Sequence, residues 1–125
     1  MLWSKSLKTM KSNANREVLF ALGLCAKAGK LVYGVPMVCE ALKKQKAVVA
    51  VFCANDNSPN SQKRLSDRCT YYGIPLHTLS VDGDTLSGAV GKSGRLAALA
   101  VTDQSLCGLV LSKLAQNTQK DNIEN

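Results

Sequence analysis

Residues 47–53, AVVAVFC, are seven consecutive apolar residues in a chain of 125. A strand with one wet face alternates apolar and polar side chains. An unbroken run this short reads instead as a strand covered on both faces. The next seven residues, ANDNSPN (54–60), are turn formers and close the run. A doubly covered strand needs a helical layer on each side, and the neighbouring sequence supplies both.

Downstream, Ser58 is suited to cap a helix, Pro59 to start it and Gly73 to stop it, with Leu65, Cys69 and Tyr72 on one face. Ile74 to Leu79 reads as a strand. Asp82 or Asp84 caps a short helix carrying Leu86, Ala89 and Val90, which closes at Gly91. Lys92-Ser93-Gly94 is a loop, and Arg95 to Val101 (RLAALAV) a further strand. Asp103 caps a last helix with Leu106, Leu109, Val110 and Leu114 inward. Upstream, Asn13 or Asn15 caps a helix whose Val18, Leu22 and Cys25 share a face that Leu19 and Ala26 widen. Gly29 ends it. Lys30 to Tyr33 reads as a strand that Gly34 breaks. Pro36 fits the first turn of the next helix, where its missing N–H costs nothing. Val38, Ala41 and Leu42 form that helix's stripe, and Lys43, Lys44 and Lys46 crowd its end.

Helices and strands alternate throughout. The expected fold is α/β, a three-layer α/β/α sandwich around a central four-stranded mixed sheet. A single domain spans residues 13–115, after a basic leader (1–12) and before a loose polar tail (116–125). Hydrophobic residues at 46% and charged residues at 20% suit a globular chain. No apolar run approaches the roughly 20 residues of a membrane span, and the basic start has no apolar segment like that of a secretory signal.

The net charge is +7, and the excess lies wholly within residues 1–46, where Lys5, Lys8, Lys11, Arg16, Lys27, Lys30, Lys43, Lys44 and Lys46 face only Glu17 and Glu40. One-ended positive charge suits a polyanion, nucleic acid above all, although basic surfaces also simply keep proteins soluble. Cys25, Cys39, Cys53, Cys69 and Cys107 are odd in number, with no CxxC pair. With His77 the sole histidine, they match neither a zinc site nor a disulfide scaffold, and read as buried reduced thiols of a reducing cytoplasm. No metal or cofactor is expected.

Gly91-Lys92-Ser93 resembles the end of a phosphate-binding loop. The glycine that the loop needs five residues earlier is Leu86, and the order of helix and strand is reversed. Asp56, just past a strand, reads either as a functional group or, more simply, as a residue that turns the chain by bonding local amides. Nothing assembles an acid, a base and an oxyanion site, so no catalytic residues are assigned. Lys27 and Lys30 flank the end of the first helix, and Gly34 opens the second. A glycine-led helix start suits phosphate, or is an ordinary strand-to-helix turn beside solvated lysines. Tyr33, Tyr71 and Tyr72 could stack on bases, with Tyr72 better explained as packing.

LGLCAKAGKLVYG (22–34), CANDNSPNSQKRL (53–65), YYGIP (71–75) and LSGAVGKSGRLAALAVTD (86–103) together resemble the ribosomal protein L7Ae/L30e family, in particular its bacterial YlxQ-like branch. The resemblance covers about residues 15–115 and implies an α/β/α protein that binds structured RNA, in many members a kink-turn. In the family one contact surface is the start of the second helix, here Gly34, Val35, Pro36, Met37, Val38, Cys39 and Glu40. Gly34 agrees with the pattern. Pro36 and Met37 lack the base-bonding groups of the usual Asn or Lys and Glu or Gln, and Glu40 replaces a lysine. The second surface is the loop Lys92, Ser93, Gly94 and Arg95. Lys30 matches the lysine before the first strand, and Ser87 stands for a usual glycine.

The resemblance therefore implies a non-enzymatic, cytoplasmic, ribosomal-protein-like RNA-binding protein without membrane attachment. Its partner would be structured RNA, ribosomal RNA included, with a ribosomal or other protein as a further partner. Phosphate contacts fall to Lys27, Lys30, Lys92 and Arg95. Two alternatives stand beside this reading. One is a protein-interaction module that kept the fold and lost RNA readout. The other is the accessory substrate-recognition domain of an RNA-modifying enzyme, whose catalytic half is not in this sequence.

Overall fold

The structure, a computed structural model, describes residues 16–124, with side chains to residue 115. The basic leader and the proposed Asn13 or Asn15 cap lie outside the described residues. Helix α1 (residues 16–27) leads into β1 (Leu31–Tyr33) and α2 (Val35–Lys43). Then come β2 (Ala50–Cys53), α3 (Pro59–Tyr72), β3 (Leu76–Thr78), α4 (Gly83–Ala89), β4 (Ala98–Val101) and α5 (Gln104–Glu124).

The run that decides the fold behaves as read. All four residues of β2 are buried, as are all four of β4. The two strands pair antiparallel, Ala50 to Val101 through Cys53 to Ala98, at the centre of a sheet ordered β1-β4-β2-β3. Their alternate residues serve opposite layers. Ala50, Phe52, Leu99 and Val101 pack with Val18, Leu22 and Cys25 of α1, Leu86 of α4, and Cys107 and Val110 of α5. Val51, Cys53, Ala98 and Ala100 pack with Val38, Cys39 and Leu42 of α2, and Leu65 and Cys69 of α3. Each large side chain so enclosed contributes about 1.5–3 kcal/mol. Tyr72 packs half-buried against this second layer.

Start and stop chemistry follows the sequence closely. Ser58 accepts the Ser61 amide at 3.2 Å, Asp82 that of Thr85 at 2.8 Å and Asp103 that of Leu106 at 2.8 Å. Gly73 ends α3 at φ 69°, a left-handed backbone that favours glycine. The strands are shorter than the apolar runs. Ala47, at φ 42°, has left the extended region, so pairing in β2 begins at Ala50. Arg95 and Leu96 are drawn out of β4 by bonds elsewhere, among them Leu96 N–H to Gly83 C=O at 3.0 Å, while Ala97 C=O still accepts the Ala54 amide at 2.9 Å. At the other end, α5 continues to Glu124, beyond Ala115 where its apolar stripe stops. Residues 116–124 hold no glycine or proline, so nothing there breaks a helix.

All five cysteines are buried and unpaired. Burial is the main cause that pushes the Cys69 thiol up to about 11, with Cys39 and Cys53 adding to it. His77, in β3, stacks on Phe52 with ring centroids 5.2 Å apart. Burial lowers its pKa below the ordinary 6.5. The folded state therefore resists a proton that the unfolded chain accepts. The His77 contribution is complete above about pH 6.5 and is lost as the pH falls through the lowered value. Urea unfolding at pH 7 and pH 5 should show stability falling with acid. The fall in that window should be shallower in a His77→Gln chain.

Candidate nucleic-acid interface

Strand directions sort the loops. β1 and β2 both pair antiparallel with β4, and β3 is parallel to β2. So β1, β2 and β3 run one way and end at the same edge of the sheet, where α2, α3 and α4 begin and β4 enters. This is the edge at which open α/β sheets commonly bind ligands.

Gly34 stands there at φ 88° and ψ 149°, a conformation open to glycine. Its amide bonds Ala98 C=O at 2.8 Å and its carbonyl accepts the Val38 amide at 2.9 Å. No side chain caps α2, and the Val35 and Met37 amides have no bond among the described residues. Pro36 has no amide to offer. Lys92, 58 positions along the chain from Gly34, holds its Nζ 4.3 Å from the centre of the Tyr33 ring. At an exposed site this cation–π contact is worth about 0.5–1 kcal/mol. It carries a positive charge to the residue before Gly34. Ser93 and Gly94 are exposed in the same loop, and Met37 is 58% exposed on the first turn of α2.

Arg95 is committed elsewhere. Its Nη2 donates to the Asp56 carbonyl at 2.7 Å, to Asp56 Oδ1 at 3.1 Å and to Asn57 Oδ1 at 3.0 Å. Asp56 Oδ1 also accepts the Gly83 amide at 3.1 Å, and Asn57 Nδ2 donates to Ala97 C=O at 3.1 Å. Asp56 does bond amides, as the sequence suggested, but the amide is 27 residues away rather than local. The group clamps three loops together. A Cβ on Gly83 would collide with Arg95 Cγ, so glycine there keeps the passage open.

The expected residues do not form one patch. Gly34, Val35, Pro36, Met37 and Lys92–Arg95 share the edge just described. Glu40 lies further along α2 and pairs with Lys44 at 3.4 Å. Lys27 and Lys30 stand at the opposite edge, because they precede β1 while Gly34 follows it; the Lys30 carbonyl accepts the Thr102 amide at the far end of β4. The Gly34 edge also carries Asp56, Asp82 and Asp84. Hydrogen bonds from Thr85, with Arg95 adding, hold Asp82 below its usual carboxylate range. Asn57 was not singled out in the sequence. Its only signal was its place beside Asp56, directly after the buried strand.

Residues 16–109 match the profile of the ribosomal protein L7Ae/L30e/S12e/Gadd45 family. The chain belongs to this family. It is 32% identical over 93 residues to the RNA-binding protein YlxQ of Bacillus subtilis (strain 168), covering 74% of this chain and 90% of that one. With the RNA-binding protein YlxQ of Enterococcus faecium it shares 30% over 83 residues, 66% of this chain and 79% of that one. A solved structure from Bacillus halodurans C, described as a protein with unknown function, superposes with a TM-score of 0.66 at 30% identity, covering 75% of this chain and 96% of that one. The Giardia lamblia 15.5kD RNA binding protein shares the fold, with a TM-score of 0.69 at 17% identity over 86% of this chain and 89% of that one. Membership of the L7Ae/L30e/S12e/Gadd45 family in its YlxQ-like branch, and the α/β sandwich, are thus as the sequence implied.

The clamp can be checked directly. Asp56→Ala should cost about 1–2 kcal/mol in urea unfolding, since it strands the Gly83 amide and takes the carboxylate from Arg95. Hydrogen exchange at the Gly83 and Leu96 amides should quicken more than at Val51.

Proposed function

We propose that this protein is a non-enzymatic RNA-binding protein that grips structured RNA at the Gly34 edge. The observation that carries the reading is the uncapped, glycine-led start of α2 with the Lys92 ammonium held beside it on Tyr33. Free amides and a positive helix end favour a phosphate, and glycine lets a backbone approach. Family membership and two relatives described as RNA-binding proteins support the same partner.

The chemistry favours shape over sequence. Base readout needs donors and acceptors at fixed places, and Pro36 and Met37 offer none from their side chains. Glu40 is occupied by Lys44. Met37 can still press an apolar surface against a sugar or base face. Kink-turn recognition, where it operates, would therefore rest on the bent backbone. Arg95 shapes the loop that presents Lys92, rather than meeting phosphate itself. Ribosomal RNA and other structured RNAs in the cytoplasm are the partners this surface suits.

A second reading is a protein-interaction module, favoured by the exposed Met37 beside Pro36. Protein partners that stay bound after ribonuclease treatment would support it.

The test is fluorescence anisotropy on a stem–internal-loop–stem RNA that contains a kink-turn, and on the same stem with the loop paired. Binding should weaken with salt, at about 0.7–0.9 log units of affinity per log unit of salt for each phosphate met. Lys92→Gln should weaken binding to the looped RNA about fivefold, near 1 kcal/mol. No change in Lys92→Gln, or affinity indifferent to salt, would remove this assignment.

A further inference from the structure

The charge excess that suggested a polyanion does not lie at the Gly34 edge. Arg16 opens α1; of the five lysines with described placement, Lys27 ends α1, Lys30 precedes β1, and Lys43, Lys44 and Lys46 end α2 or follow it. All five are exposed, and all five lie at the opposite edge of the sheet. The sheet register brings their two segments level. Leu31 and Ala50 both pair with Val101, so Lys30 and Val49 flank Thr102 from either side. They stand two strand spacings apart, about 10 Å. Lys46 precedes Val49 by three residues.

Few carboxylates oppose these lysines. Glu40 engages Lys44, and Asp103 is occupied in capping α5. Among the described residues no ion pair holds Lys27, Lys30, Lys43 or Lys46. The Gly34 edge, by contrast, sets Asp56, Asp82 and Asp84 against Lys92 and an already committed Arg95.

The turn after α2 is an independent observation. Gln45 (φ 54°) and Ala47 (φ 42°) both hold left-handed backbone without being glycine. Such conformations cost about 1–2 kcal/mol each, and persist where the surrounding structure fixes them. Here Lys46 N–H to Ala41 C=O at 3.0 Å and Val49 N–H to Val101 C=O at 2.8 Å pin the turn. These bonds fix the backbone of the turn that carries Lys44 and Lys46, both exposed.

We propose that this lysine edge is a second nucleic-acid surface, one that binds the phosphate backbone of duplex RNA without reading sequence and is separate from the Gly34 edge. Lysine is a point charge on a flexible stem, suited to phosphates in varied positions, whereas arginine forks fix geometry. From Lys27 to Val49 the one large exposed apolar side chain is Met37, at the other end of α2. The segment thus lacks both the aromatic or apolar anchor of a protein interface and the apolar face of a membrane-binding one. An RNA held at the Gly34 edge could then be gripped by one copy at two places.

The experiment uses the full chain, its Lys30→Gln/Lys46→Gln variant and its Lys92→Gln variant, with a blunt 20-base-pair RNA duplex of mixed sequence as probe. The double variant should lose at least tenfold in affinity at low salt. Its slope of log affinity against log salt should be shallower by about 1.5–2. Lys92→Gln should lose less affinity for the duplex, and less of the salt slope, than the double variant does. Acetylation of the parent chain should be slowed by duplex at Lys30, Lys43 and Lys46, a readout that needs no variant. An unchanged slope and affinity in the double variant would overturn the proposal, as would a larger loss from Lys92→Gln. A parent chain that binds looped RNA but not the duplex would overturn it while leaving the Gly34 surface standing. Capture by phosphatidylserine vesicles in place of duplex would also overturn it.

Discussion

Burial of both faces of β2 and β4 is the constraint from which the rest of the molecule follows. A strand with no wet side must have a helix above and below, so consecutive strands cannot be joined by tight hairpins. The chain crosses through α2 and α3 instead. Those crossovers make β1, β2 and β3 run one way, so three helices start at one edge. What the molecule can do at each edge is decided by this sorting before any particular side chain is considered.

Charge is sorted by the same rule. Lysines that follow α1 and α2 arrive where those helices end, and complement their dipoles there. Asp56 and Asp82 arrive at the other edge, where Asp82 caps α4; Asp103, which caps α5 after the antiparallel β4, is the exception at the lysine edge. Local helix chemistry thus separates positive from negative across the height of the sheet. A chain with one net charge then presents two electrostatically different ends. The Gly34 end gains its attraction for phosphate from backbone geometry and from Lys92. The lysine end has it from side chains alone.

The layers, the two-faced central strands and the caps at Ser58 and Asp103 were legible in the sequence, and that of α4 was narrowed to Asp82 or Asp84, because each depends on residues near one another along the chain. Strand ends were less so. The apolar run that contains β2 starts at Ala47, yet pairing waits for Ala50, because backbone dihedrals in the turn leave no pattern in side-chain polarity. The fold divides the residues that the sequence suggests as one site. Lys30 and Gly34 are four residues apart, which looks close in sequence, but a strand between them carries them to opposite edges. Arg95 looked free because its partners, Asp56 and Asn57, are 39 and 38 residues away. Separation by a strand and pairing at long range are tertiary facts, and one sequence encodes them only through the fold.

The sealed thiols have a last consequence. Five sulfurs lie in the two packed layers, and enclosure keeps Cys69 protonated far above neutral pH. While the layers hold, burial keeps oxidants from the sulfurs. A molecule that opens presents all five nucleophiles together, and a cross-link formed then can join a sulfur of one layer to a sulfur of the other. The interior that protects this protein from oxidation also makes a single global opening under oxidising conditions hard to reverse.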